Sequence, residues 1–407
     1  MRPDSFDDRL DRHLTDRQRD SQFRHRRVGR PLDAVHVEID GATYVNFASN
    51  NYLGLTHHPR VVQAVQHAAE TFGVGAAASP LITGYTTAHA SAEAALAKWK
   101  GTEAAVLLPS GYQANQAAIE TIRRAGEKGR HSGTRFLVDK LAHASLIDAV
   151  MSVGCFRIFN HNDLEKLERL LADAADDANV PHEPHIDVVV TESIFSMDGD
   201  AAPLRELAAL KKKYPFFLLL DEAHGSGVYG EHGAGYAAEI GVPDIVDACV
   251  VTLSKALGCA GAAICASKKF CDAVVNFGRA YIYSTAVPPT TAAACEAAIG
   301  VMRDEPWRQQ RVRALARRVR ATLNPARNPP LNLAPSDSPI IPVVLGSENA
   351  AIAAAETFRG AGLLVLPIRP PTVPRGTSRL RITLSCEHAD AEIDQLVAAL
   401  LKLLAIR

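Results

Sequence analysis

Lys255 follows the apolar run Ala248 to Leu253 and opens "KALGCAGAAI", a stretch to Ile264 rich in small residues with two glycines. A primary amine at the dry end of a strand loses its proton more readily than a solvated one, and a neutral amine attacks carbonyl carbon. Asp221 ends the run "FFLLL", and His224 follows three residues later. A carboxylate there could keep a ring nitrogen protonated, and the histidine could donate to a ring oxygen. His143 comes after "TRFLVDKLA" and offers a flat face for stacking. Gly111 and Tyr112 open a helical pattern after "AAVLLPS", where free backbone N–H groups suit a phosphate. Thr252, on the Lys255 turn, adds a hydroxyl. Each residue alone has an ordinary explanation: a helix cap, a satisfied imidazole, a solvated amine. Together they suit the capture of an aldehyde on a ring that also carries a nitrogen, an oxygen and a phosphate. Pyridoxal 5'-phosphate is such a molecule.

These residues need elements that end at one edge. The runs "AAVLL", "TRFLVD", "DVVVTE", "FFLLLD" and "ACVVTL" are continuously apolar and alternate with helical patterns such as "PLRELAALKKKY". That alternation predicts a mainly parallel α/β sheet covered on both faces, with ligands at its carboxyl edge. Upstream, Phe6, Leu10 and Leu14 have helical spacing. "HVEIDGATYVNF" reads as a hairpin turning at Asp40-Gly41. "HPRVVQAVQHAAETFG" reads as a helix with Pro59 in its first turn, Gly73 at its stop, and Val61, Val62, Val65, Ala69 and Phe72 on one face. A second helix ends at Gly101. Asp173 to His185 forms a polar connector. From about residue 300 the helices, the short strands "PIIPVVLG" and "RLRITL", and the last helix "EIDQLVAALLKLL" suggest a smaller α+β domain. The expected division is 1–58 (helix and hairpin), 59–298 (large domain) and 299–407 (small domain).

The chain has 407 residues, 47% hydrophobic and 22% charged, with a net charge of −1. That balance argues against a nucleic-acid binder, and no apolar run is long enough for a membrane helix. Asp4, Asp7, Asp8 and Asp11 argue against a secretory or transit leader, so a cytoplasmic location is expected. Seven scattered cysteines without a CxxC pair suggest reduced thiols, and no His/Cys spacing suggests a metal site.

With these motifs in view, the sequence resembles the α-oxoamine synthases, fold-type I pyridoxal phosphate transferases of aminotransferase-like architecture. The matching stretches are "NFASNNYLGL", "SGYQANQAAI", "HASLIDA", "VVTESIFSMDGD", "DEAHGSGVYG", "TLSKALG", "YIYSTAVPP" and "IRPPTVPRGTSRLRITL". They run in family order over about residues 24 to 385. The resemblance implies a large domain with a mainly parallel seven-stranded sheet and a smaller α+β C-terminal domain. It implies Lys255 as the Schiff-base lysine, Asp221 at the ring nitrogen, His224 at the 3'-oxygen and His143 on the ring. It adds Ser196 near the 3'-oxygen. It also implies Asn50 and Arg381 at the amino-acid carboxylate, with Arg369 and Thr372 as further substrate residues. Ser284 and Thr285 would reach the phosphate of a partner subunit, so a homodimer with shared sites follows. Arg24, in "RHRR", would meet the far carboxylate of a pimeloyl chain.

The reaction so implied is the decarboxylative condensation of an amino acid, expected to be L-alanine, with an acyl thioester. The expected donor is a pimeloyl group on coenzyme A or on a carrier protein. Glycine or serine with another acyl-CoA, or an aminotransferase reaction, are the alternatives. A subunit without catalysis should lack Lys255, and a GxSxG hydrolase would need glycine at His224. The chain departs from the family at "GVGAAASPLITG", where Ala76 to Ala78 and Pro80 replace a glycine-serine run, and at Cys259 after the lysine. The small residues after Lys255 read as room for a flat cofactor.

Overall fold

The computed structural model describes residues 4–128, 131–173, 186–324, 333 and 336–405. The chain forms two compact units, one of 50–196 and 200–313, the other of 1–49, 197–199 and 314–407. The expected connector lies outside the described residues from 174 to 185.

The first unit is built on a seven-stranded sheet. Its strands are Ala104–Leu108 (β1), Thr134–Asp139 (β2), Phe156–Phe159 (β3), Ile186–Glu192 (β4), Phe217–Asp221 (β5), Ala248–Thr252 (β6) and Ala262–Ala266 (β7). Their order is β1-β7-β6-β5-β4-β2-β3. Only β7 runs against its neighbours. The apolar runs therefore form the expected strands, and side chains alternate between the two faces. Leu219, Val190 and Val250 pack with Ile119 and Leu146 on one side. Leu218, Leu220 and Val189 pack with Leu170 and Leu207 on the other. Both faces are dry, which is why these strands carry no polar alternation.

β7 corrects one reading. Part of the small-residue stretch after Lys255 is this antiparallel strand, and Ala262, Ala263 and Ala266 are buried within the sheet. Their small size serves packing there rather than a clearing for the cofactor. The close approach lies earlier, at Gly258. Its φ is +66°, and a Cβ would come within 2.6 Å of the Thr56 nitrogen.

The helices of this unit include Pro59–Phe72 (α1), Thr87–Lys100 (α2), Gly111–Ala125 (α3) and Ala144–Val153 (α4). α1 starts and stops at Pro59 and Gly73 as expected. Its buried face, however, is Val61 and Ala68, while Val62 and Phe72 are exposed. The apolar periodicity was broad enough to admit either stripe, and tertiary packing selected one.

The second unit holds a sheet of Gly29–Pro31, His36–Ile39, Ala42–Asn46 and Leu363–Leu364, the middle pair forming the expected hairpin. A second sheet of Ile340–Gly346, Ser378–Thr383 and Leu366–Ile368 is antiparallel. Helices Phe6–Arg19, Glu348–Gly360 and Asp390–Ala405 also belong to this unit. Among the described residues no helix is long and apolar enough to cross a membrane. All seven cysteines are free thiols.

Candidate active site

Parallel strands in matched register deliver their last residues to a common edge. Asp221 ends β5 opposite Glu192 of β4 and Val250 of β6. Asp221 is buried, and its carboxylate is held from both sides. Oδ1 accepts from the Ala223 N–H at 2.9 Å, and Oδ2 accepts from Asn115 Nδ2 at 2.8 Å. Hydrogen bonds to a charged group are worth about 1.5–3 kcal/mol each, so the carboxylate is fixed in place as an acceptor.

Asn115 ties this carboxylate to His143. It sits on the apolar face of α3 among Ala114, Ala118 and Ile119. Its Nδ2 also donates to Ser145 Oγ at 2.8 Å, and Ser145 Oγ lies 2.8 Å from His143 Nδ1. The Ser145 N–H caps α4 on the same nitrogen at 3.2 Å. His143 Nδ1 is thus an acceptor, and its ring orientation is set by the helix it caps. Burial of the ring edge lowers the imidazole pKa, Asp221 opposes that shift, and Lys255 adds to it. The ring stays neutral and keeps an exposed surface, which suits stacking.

Lys255 is half-buried on the turn after β6, with Nζ 3.0 Å from His224 Nε2. His224 is buried, and its Nδ1 lies 2.6 Å from the hydroxyl of Tyr52, which is fully enclosed. Tyr52 also reaches Asn50 Oδ1 at 3.2 Å. The Asn50 to His58 segment is anchored by buried Arg308, whose Nη1 donates to the Leu53 carbonyl at 2.9 Å.

Gly111 starts α3, and a Cβ there would come within 2.5 Å of Thr252 Cγ2. The Thr252 methyl therefore packs against the helix N-terminus, while its hydroxyl donates to the Ala223 carbonyl at 3.4 Å. Ser110 Oγ accepts from the Gln113 N–H at 3.2 Å, and the Gly111 and Tyr112 N–H groups before it have no intrahelical acceptor, which suits a phosphate. Tyr112 points its hydroxyl away, to Asp148 at 2.7 Å. Ser196 is buried beyond β4 in the same unit. Ser284 accepts from Gln113 Nε2, in the first turn of α3 of its own chain, at 3.2 Å, with Thr285 next to it. Amine, fixed carboxylate, imidazole donor, flat ring and anion cradle thus occur in one unit, and the donor set fits pyridoxal phosphate. No group of three or more His, Cys, Asp or Glu that could hold a metal occurs among the described residues.

The remaining expected residues lie in the other unit. Arg24 Nη2 donates to Thr372 Oγ1 at 3.3 Å. Arg369 bonds the Ser21 carbonyl, and its pKa is lowered by burial and by the nearby charge of Arg24. Two guanidiniums and a hydroxyl thus lie close together, and the charge of Glu348 acts on Arg369 against the shift. Arg381 is buried on Ser378–Thr383 and donates to Thr383 Oγ1 at 2.9 Å.

Tyr52, Asn115 and Glu192 were not singled out from the sequence. Asn115 had a signal, a polar residue on an otherwise apolar helix face. Tyr52 and Glu192 had none outside the tertiary structure. Cys259 finds its explanation here: its thiol donates to the Leu257 carbonyl at 3.1 Å, and burial pushes its pKa up to about 12. It is an inert packing residue.

A family model described as aminotransferase class I and II matches residues 42–400. The chain is 39% identical to 8-amino-7-oxononanoate synthase of Cellvibrio japonicus over 98% of its own length and 96% of that protein. Among solved structures it is similar to Sphingomonas wittichii serine palmitoyltransferase, with a TM-score of 0.88, 29% identity and 98% of each chain covered. It is also similar to 8-amino-7-oxononanoate synthase of Francisella tularensis, with a TM-score of 0.72, 25% identity, and 89% of this chain and 98% of that one covered.

Proposed function

The chain belongs to the aminotransferase class I and II family, among the α-oxoamine synthases, and from that premise we propose that it condenses L-alanine with a pimeloyl thioester to give 8-amino-7-oxononanoate. It is a pyridoxal phosphate-dependent acyltransferase of fold type I. The proposed reaction releases carbon dioxide and a free thiol and is a step of biotin biosynthesis.

When bound, the cofactor supplies an electrophilic aldehyde and an electron sink for a carbanion. The chain's own residues do the rest. Lys255 Nζ would be the attachment point for that aldehyde, and a neutral amine there is also the base placed to take a substrate α-proton. Asp221, locked by Asn115 and the Ala223 N–H, holds the proton on the ring nitrogen. His143 would offer its face to the ring, and His224 and Ser196 would serve the 3'-oxygen. Gly111, Tyr112 and Thr252 hold the phosphate, with Ser284 and Thr285 acting on a partner's site in a homodimer. Asn50 and Arg381 take the amino-acid carboxylate.

The observation that carries the choice of acyl donor is the grouping of Arg24, Arg369 and Thr372. A simple fatty acyl chain has no use for two adjacent guanidiniums at its far end, whereas a dicarboxylic acyl chain ends in an anion. The structural similarity to serine palmitoyltransferase favours a second reading, serine with a monocarboxylic acyl-CoA. Thiol release measured over a matrix of alanine, glycine and serine against pimeloyl and palmitoyl thioesters separates them. Turnover confined to alanine with a pimeloyl thioester supports the first reading, and turnover with serine and palmitoyl-CoA replaces it.

A further inference from the structure

His224 is placed at the 3'-oxygen of the cofactor, where a hydrogen-bond donor is needed, yet a neutral imidazole presents a donor on only one nitrogen. What decides which nitrogen carries the hydrogen is the bond made by the other. In this chain that other bond is to Tyr52. The Tyr52 hydroxyl has one hydrogen, and both His224 Nδ1 at 2.6 Å and Asn50 Oδ1 at 3.2 Å lie within its reach. Hydroxyl hydrogen bonds centre near 2.7–2.8 Å and weaken with length, so the shorter contact is the stronger one, and it is a hydroxyl-to-Nδ1 bond in the tautomer whose Nδ1 carries no hydrogen. Nδ1 is then an acceptor, and the hydrogen of the ring sits on Nε2, the atom that faces Lys255 Nζ at 3.0 Å.

We propose that Tyr52 is a positioning residue that holds His224 in its Nε2–H form, and so makes it a donor toward the cofactor oxygen and the Lys255 nitrogen. This rests on the site assignment above. An Nε2–H pointing at Lys255 needs a lone pair there, so the same bond favours the neutral amine that must attack the aldehyde and later take the α-proton. The opposite tautomer would aim a lone pair at the 3'-oxygen and remove the donor. Tyr52 is suited to the task because it is immobile. Its side chain is fully buried, and the Arg308 bond to the Leu53 carbonyl clamps its segment. Phenylalanine in its place would keep the packing and delete only the hydroxyl.

The test uses Tyr52→Phe and nitrogen-15 NMR of the histidine rings of the cofactor-free protein, with His224→Gln to assign the signal. The expected result is a His224 spectrum typical of Nε2–H in wild type, shifted toward a tautomer mixture in Tyr52→Phe. Asn50→Ala should leave the His224 spectrum in the wild-type form. In the loaded enzyme, kcat should fall about tenfold in Tyr52→Phe, by analogy with the loss of an aligned proton-transfer partner. An unchanged His224 spectrum in Tyr52→Phe, or a wild type in which Nδ1 carries the hydrogen, would overturn the inference. Failure of the underlying assignment reads differently: Lys255→Ala would then keep full turnover, whatever Tyr52→Phe does to the imidazole.

Discussion

Two carboxyl groups stand side by side at the ends of β4 and β5, Glu192 and Asp221, in different surroundings. Glu192 is buried beside Asp221. Burial raises its pKa well above the usual range and Asp221 raises it further, while Lys255 and a bond from the His143 backbone oppose the shift. Burial thus favours the neutral form of Glu192, whereas the Asp221 carboxyl is the one held by two hydrogen-bond donors. Glu192→Gln should therefore keep kcat within about threefold, since it swaps one neutral group for another, which costs far less than unpairing a charge. Steady-state thiol release checks this, and a collapse in kcat would show that the negative charge was needed. Two histidines set the pH range of stability. His161 lies between Asp139, at 3.1 Å, and Asp200, at 2.7 Å. Burial lowers its pKa, but those bonds outweigh it and raise the value to about 10. Its contribution is full below the unfolded pKa of about 6.5 and is lost as pH rises through about 10. His388 stacks on Phe47 at 4.2 Å, and burial lowers its pKa to about 4. The unfolded chain therefore takes up that proton first, and stability falls between about pH 6.5 and 4. Urea midpoints across pH should show both slopes. His161→Asn should flatten the alkaline one and His388→Asn the acid one.

Among the elements, the loop after β5 depends on a buried ion pair. Glu222 follows Asp221 and is bonded by Lys100 Nζ, at the end of α2, at 2.7 Å. The same amine bonds the Ala234 carbonyl, and Glu222 Oε1 accepts from the Ala237 N–H at 3.0 Å. Both side chains are almost wholly enclosed; burial disfavours the charged amine, and the Glu222 carboxylate beside it outweighs that. Removing one partner of a buried pair costs about 3–5 kcal/mol because the other is left uncompensated. Lys100→Met should lower unfolding stability by that order in equilibrium denaturation. The double variant Lys100→Met/Glu222→Gln should recover a substantial part. No recovery would mean that Lys100 contributes mainly by packing.

Across the whole molecule, the proposed substrate preference rests on residues far apart in sequence, Arg24 and the Arg369 to Thr372 stretch. Loss of one charged hydrogen-bonding partner is worth about 1.5–3 kcal/mol, or a factor of about ten to a hundred in affinity. Arg24→Ala should raise KM for a pimeloyl thioester by that factor and leave a short monocarboxylic acyl donor nearly unaffected. Equal losses for both donors would assign Arg24 to structure alone.

Much of the fold was legible because the chemistry is local. Continuous β-branched and leucine runs specify doubly buried strands, and Pro59, Gly73 and Gly101 punctuate helices through φ preferences that no neighbour has to supply. Lys255, Asp221, His224 and His143 were visible because each lies at, or within about four residues after, the end of a strand, and parallel strands end at one edge. The sequence left open which stripe of Pro59–Phe72 faces inward, and it did not reveal that Ala262–Ala266 crosses the sheet antiparallel. Those outcomes depend on which surfaces meet. The tertiary structure alone decided that Tyr52 touches His224 across 172 positions and that Asn115 joins Asp221 to Ser145. Sequence spacing carries residue types and local geometry. Hydrogen bonds between distant segments, and the protonation states they impose, exist only once the chain has closed on itself.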